Sequence, residues 1–285
     1  MIVVRRGNDD NRARRGDDDG RSWIGALVAV WRSRRGLSQL ALAREVGLAQ
    51  RNLSFIESGR SRPRRSTVDR LAEAMDIPAR KRNALHVAAG FPPCYPELGL
   101  ASEAVAPYRF AVERLLQVHE PCPAFAIDRW WNVVTANEGA VRFTALFGPP
   151  PADLLTGMLA PGPIREALEN YAEVAATIMR RLRREVADAA PDGKLQQMLD
   201  RVQRLVGPLP ATTGETGDLL VCPRFRVHGQ TIATVSMIAR FGQAREVSLD
   251  ELRIELLYPA DAVGEAFFRN LADAAVPRAA LPGIT

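Results

Sequence analysis

Four side chains of one short segment suit a single kind of chemistry. Gln50, Arg51, Ser54 and Phe55 share a face of the helix expected from Ala49 to Ser58. Leu53 and Ile56 lie on the opposite face at i, i+3 and point inward. Arg60, Arg62, Arg64 and Arg65 follow directly. An amide, a guanidinium and a hydroxyl near the start of a helix are groups that read base edges in a major groove. A run of guanidinium groups beside them suits phosphates. The chemistry on offer is recognition of a polyanion rather than bond-making.

Such residues need elements to hold them. From Ser22 to Gly90 the pattern is helical throughout. Ser22 suits the N-cap before Trp23, and Ile24, Leu27, Val28, Val30 and Trp31 form a stripe that ends near Gly36. Ser38 caps a second helix, whose Leu40, Ala43 and Val46 are expected inward, and Gly47 stops it. Gly59 ends the third. Ser66 starts a fourth, with Val68, Leu71, Ala72 and Met75 at helical spacing, and Pro78 and Gly90 bound a fifth.

The chain has 285 residues, 47% apolar and 25% charged, which fits two globular domains of roughly 100–200 residues each. Its longest apolar run near the N-terminus, Trp23 to Trp31, is far below the ~18 residues of a membrane span. No membrane partner is expected. The first twenty residues carry Arg and Asp clusters and no signal-peptide core, so a cytoplasmic setting is expected. Cys94, Cys122 and Cys222 form no CxxC pair, which argues against a disulfide framework or a zinc site of the usual spacing. No metal and no cofactor is expected. The net charge of +5 is unevenly spread. Residues 21–90 hold 14 Lys or Arg against 5 Asp or Glu, residues 91–285 hold 19 against 23, and residues 1–20 balance. A basic block beside a mildly acidic remainder suggests a polyanion-binding module joined to something else. Only two of the 38 cations are Lys, so Arg abundance alone says little about phosphate contacts.

The segment Ser38 to Pro63 resembles the helix-turn-helix of the Xre-type, phage-repressor class. Ser38-Gln39, Leu42-Ala43, Gly47, Glu57, Gly59 and Pro63 fall on that family's pattern. The resemblance implies an all-α, repressor-like domain of roughly five helices over residues 21–91 that binds double-stranded DNA. Gln39 would then donate to a phosphate and brace Gln50. Gln50 would pair with adenine and Arg51 with guanine, each contact giving about 1–3 kcal/mol of discrimination. Asn52 and Ser54 are further base-contact candidates, and Phe55 suits a thymine methyl. Arg60, Arg62, Arg64 and Arg65 suit phosphates, which give affinity without sequence choice. Glu57 is expected to tie the helix end to a basic neighbour. The family's Ser or Thr before the recognition helix is replaced by Ala49, a loss of roughly 1 kcal/mol.

Beyond Gly90 the pattern changes. Residues 92–104, rich in Pro and Gly, are expected to form a linker. A helix around Tyr108–Val118 has Ala111, Val112, Leu115 and Leu116 on one side. Ala124–Arg129 and Asn132–Asn137 read as strands around a turn at Arg129–Trp131. There Trp131 packs, Trp130 lies at the surface or a dimer contact, and Asp128 pairs with Arg129. Glu138–Leu146, Ile164–Val186 and Leu195–Val206 read as helices. Leu219–Val227 and Thr231–Phe241 form a hairpin about His228-Gly229-Gln230, with Leu252–Tyr258 a fifth strand and Ala262–Asp273 a closing helix. The order predicts an α+β domain with an antiparallel sheet over residues 105–275, between tails at 1–20 and 276–285.

This half resembles the MmyB-like regulators. The residues concerned are Leu85, Ala88-Ala89-Gly90-Phe91, Tyr95-Pro96-Glu97, His119-Glu120-Pro121, Asp128-Arg129, Trp131 to Val134 and Ala136-Asn137, then Phe241-Gly242, Val247 to Glu255 and Pro259-Ala260-Asp261. The resemblance implies a PAS-like domain, with a five-stranded antiparallel sheet and helices over one face. They would enclose a pocket for a small, largely apolar ligand, fatty-acid-like or another hydrophobic metabolite. Phe125, Ile127, Val133, Phe143, Phe147, Tyr171 and Ile178 are the lining candidates.

The function implied is that of a sequence-specific transcriptional regulator, a homodimer on a palindromic operator, with ligand sensing in its second domain. An enzyme is not expected. Ala89-Gly90 is the dipeptide that self-cleaving repressors cut, but no Gly-Asp-Ser-Met turn accompanies it, and Lys81 and Lys194 are the only lysines. An antitoxin-like regulator, whose second domain binds a protein partner, is the alternative. The length of chain after Gly90 favours the sensor.

Overall fold

The computed structural model describes residues 23–149, 153–188, 193–209, 221–242 and 244–274. The expected tails, Ser22 and the first two residues of the expected strand Leu219–Val227 lie outside them. The chain divides into two compact units. The first runs to Glu97 and takes in Ala244–Val247; the second holds Leu98–Gln243 and the residues from Ser248 on.

Among the described residues, five helices form the first unit: α1 (23–34), α2 (Gln39–Glu45), α3 (Gln50–Glu57), α4 (Arg65–Ala74) and α5 (Ala79–Ala88). The Ser38 hydroxyl accepts the Ala41 N–H and so caps α2. Gly47 takes φ of 64°, the left-handed conformation that turns the chain from α2 into α3. Ile24, Val28, Trp31, Leu42, Leu53 and Leu71 anchor one shared core. Two expected core residues lie outside it, since Leu40 and Val30 are exposed. Helix α2 has seven residues, and Leu42 and Ala43 are the ones it buries. Gly25 lets α1 cross the end of α3 closely. A Cβ there would sit 2.5 Å from the carbonyl oxygens of Ile56 and Glu57.

In the second unit, β1 (Ala124–Ile127), β2 (Val133–Ala136), β3 (Arg224–Val227), β4 (Gln230–Ala239) and β5 (Arg253–Pro259) make one antiparallel sheet ordered β2-β1-β5-β4-β3. The other α-helices among the described residues are α6 (Ala106–Val118), α7 (Glu138–Ala145), α8 (Leu154–Leu159), α9 (Pro163–Ala167), α10 (Tyr171–Asp188), α11 (Gly193–Val206), α12 (Val247–Glu251) and α13 (Ala262–Asp273). Strand β1 reads Ala-Phe-Ala-Ile and buries all four residues, because both of its faces are covered. Ala124 and Ala126 pack with Val112 and Leu116 of α6. Phe125 and Ile127 join a core with residues of α8, α10 and α11. His228 and Gly229, both at positive φ, make the two-residue turn of the β3–β4 hairpin, and Gln230 already belongs to β4.

One expected helix is broken. The periodicity of Ile164–Val186 is continuous, yet α9 ends at Ala167 and α10 begins at Tyr171. Between them Leu168 bridges Phe225 of β3. The Asn170 amide donates to the Cys222 carbonyl and accepts from the Arg224 N–H. A side chain that satisfies strand backbone in this way competes with helix continuation.

Gly25→Ala is expected to destabilise the first unit by about 1–3 kcal/mol, the usual cost of overpacking a fixed backbone contact. Urea denaturation of the full chain followed by far-ultraviolet circular dichroism measures it.

Candidate nucleic-acid interface and ligand cavity

Helix α3 buries Leu53 and Ile56 and leaves Gln50, Arg51 and Asn52 exposed, with Ser54 and Phe55 half-buried. The Arg51 guanidinium lies 5.2 Å from the centre of the Phe55 ring, so two of the proposed base readers stack on one another. Ala49 offers the first turn no side-chain acceptor.

The end of α3 is held by Glu57. Arg32 donates to its carboxylate twice, at 2.6 and 3.0 Å, and the Gln39 amide donates at 2.8 Å. The bond to Glu57 pushes the Arg32 guanidinium above its ordinary pKa. Glu57 therefore has the basic neighbour expected of it. Gln39, however, turns to Glu57 and does not brace Gln50, because the carboxylate is the stronger acceptor within reach. Arg60, Arg64 and Arg65 are exposed around the exit of α3. Arg62 differs from them: its Nε donates to the Ala89 carbonyl at 2.8 Å, and its guanidinium covers Gly90. That side chain ties down the end of α5, a duty a pure phosphate ligand lacks.

Asp69, His86 and Cys94 come within 4.8 Å of one another, a cluster that sequence spacing did not reveal. The buried His86 meets Asp69 through Nε2 at 2.8 Å. Its Nδ1 is buried with no partner among the described residues. Burial chiefly, and then Asp69, push the Cys94 thiol up, while Arg65 and Arg82 act in the opposite sense. Nearby cations and a buried Nδ1 without an acceptor suit a polar tie between α4 and α5 better than a metal.

Beneath the helices of the second unit, one face of the sheet lines a cavity of about 190 Å³. Phe125, Phe143, Phe147 and Ile178 of the expected set line it. Three others do not. Ile127 is fully buried in the core opposite Arg253. Val133 lies on the edge strand β2 and packs against that same core. Tyr171 donates its hydroxyl to the Leu159 carbonyl under the Arg165 guanidinium, and burial raises its phenol pKa. Phe143 meets Phe147, Phe225 and Phe268 edge to face, giving one wall a rigid aromatic build.

Part of the lining is charged. Arg181, Ser236 and Glu255 line the cavity beside Trp131. Arg181 donates to Glu255 at 2.9 Å and to Glu185 at 3.2 Å, and the Ser236 hydroxyl donates to Glu255 at 3.2 Å. Arg253 forms an ion pair with Glu185 at 2.9 Å. Its own pKa is lowered, mainly by burial, with Glu185 working the other way. Trp131 takes φ of 65°, a strained conformation for a bulky residue, and the Arg181 guanidinium stacks 4.4 Å from its ring centre. Asp128 shapes this turn by accepting the N–H groups of Trp130 and Asn132. Arg129 pairs with Glu251 instead of with Asp128. Trp130 is half-buried with Lys194 over its ring, rather than freely exposed.

A helical reader of exposed amide and guanidinium groups, carried with an α+β unit enclosing an apolar cavity, defines a DNA-binding transcription regulator with a ligand-binding domain. Residues 23–85 match a helix-turn-helix domain. Residues 108–271, more than half of the chain, match the MmyB-like transcription regulator ligand binding domain. The chain belongs to that family. No curated protein matches it. No helix among the described residues is long and apolar enough to cross a membrane.

Glu57→Gln is expected to lower stability by about 1.5–3 kcal/mol, the range for a lost charge-assisted bond. Combined with Arg32→Met it should cost less than the sum of the two single changes. A double-mutant cycle by urea denaturation reads the coupling.

Proposed function

We propose that the protein binds a palindromic operator as a homodimer, and that an apolar small molecule in the cavity of the second unit alters that binding. The observation carrying this reading is the exposed Gln50-Arg51-Asn52 edge of α3, backed by Glu57 and flanked by Arg60, Arg64 and Arg65. Gln50 pairs with adenine and Arg51 with guanine, both bidentately. Asn52 and Ser54 add polar contacts, and Phe55 meets a thymine methyl while it braces Arg51. The arginines at the exit grip phosphates. One reader spans too few base pairs for adequate selectivity, so two copies act together on two half-sites.

The apolar lining supports a hydrophobic ligand. At about 190 Å³ the cavity exceeds the ~150 Å³ apolar cavity known to hold benzene. The protein works in the cytoplasm by binding rather than by catalysis. Operator and ligand affinities are coupled, each changing the other by the same factor.

Arg51→Ala should remove the preference for the operator over random duplex, whereas Arg60→Ala should weaken both equally and reduce the salt slope by about one. Titrations of fluorescent duplexes at several salt concentrations check this. Equal losses on both duplexes for both variants would overturn the assigned roles. Ile178→Trp, which fills the cavity, should abolish uptake of the neutral dye Nile red and leave low-salt retardation of DNA intact.

A further inference from the structure

We infer that the ligand carries an uncharged hydrogen-bonding head, a primary amide or an alcohol, seated against the Arg181–Glu255 pair. This rests on the reading that the cavity holds an apolar ligand, and concerns the end of the molecule that the apolar lining leaves undefined.

Two guanidinium groups, Arg181 and Arg253, stand with two carboxylates, Glu185 and Glu255, so the charged wall is balanced before any ligand arrives. Arg240 also acts on Arg253, but it is exposed and solvent screens it. The wall nevertheless holds unused capacity. The Nη2 of Arg181 is buried with no hydrogen-bond partner among the described residues. The indole N–H of Trp131, on the same wall, is in the same condition. Each oxygen of Glu255 has one described donor, Arg181 or Ser236, and a carboxylate oxygen has room for a second. Leaving buried donors unpaired is unfavourable, so an incoming group that accepts from them gains.

The head must therefore accept from a guanidinium or indole N–H and donate to a carboxylate. A primary amide does both, through its carbonyl and its NH₂, and a hydroxyl does both through one atom. A carboxylate head accepts well but brings a second negative charge beside Glu255, which is buried and little screened. An ammonium head meets the Arg181 guanidinium. A bare hydrocarbon leaves the donors unpaired.

The test is displacement of Nile red from the full-length protein by three ten-carbon competitors, decanamide, decan-1-ol and decanoate, at about pH 8, where the acid is ionised. Decanamide and decan-1-ol should compete about tenfold or more better than decanoate. Glu255→Gln should narrow the gap, with decanoate gaining most. Decanoate competing as well as the neutral pair in the unaltered protein would overturn the inference. Failure of all three to displace bound dye would overturn the cavity reading itself, and the inference with it. The ratio in the unaltered protein decides alone if Glu255→Gln does not fold by circular dichroism.

Discussion

Three side-chain N–H groups converge on the carboxylate of Glu57, in the last turn of α3. That is the negative end of the helix dipole, where an acidic side chain is unfavourable by itself. Arg32 reverses the sign of the contribution, and Gln39 adds a third donor. The result joins α1, α2 and α3 at one point. Gly25 brings the backbone of α1 against the same turn, so steric fit and charge act at the same place. The last turn of α3 is thereby anchored inward, while Gln50, Arg51 and Asn52 stay exposed at its start.

The second unit meets a different constraint. Strand β1 is covered on both faces, so its residues divide between a solid side under α6 and a hollow side under α7, α8 and α10. Ions on the hollow side lose water and recover only part of that loss from one another. Arg181 and Glu255 nevertheless line the cavity, with the Glu185–Arg253 ion pair linked to them through Arg181 and a tryptophan in a left-handed conformation alongside. Groups kept in costly positions against a cavity point to what the cavity is for.

Much of this was legible in the residues. The five helices of the first unit followed from apolar spacing and from Ser38, Gly47 and Pro78, and the hairpin from His228-Gly229. The face of α3 followed from Leu53 and Ile56. What escaped depends on contacts distant in sequence. Gln39 cannot be seen to face a carboxylate 18 residues on, nor Arg62 a carbonyl 27 residues on. The break before α10 is made by Asn170 reaching the chain just ahead of β3, which helical periodicity does not register. Depth also escaped: Phe125 and Ile127 share a face of β1, but only one borders the cavity. The charged wall did leave a trace. Arg253 and Glu255 stand at alternate positions of an otherwise apolar strand, where a polar face should not be.

The missing side-chain acceptor at Ala49 has one more consequence. Helix α2 is closed at its start by Ser38, while α3 begins with N–H groups that no neighbouring hydroxyl or carboxylate claims. On the proposed reading, a phosphate oxygen arriving at that end is the acceptor the turn lacks. In the proposed mode of binding, the nucleic acid then supplies α3 with the kind of acceptor that Ser38 supplies to α2 from within the chain.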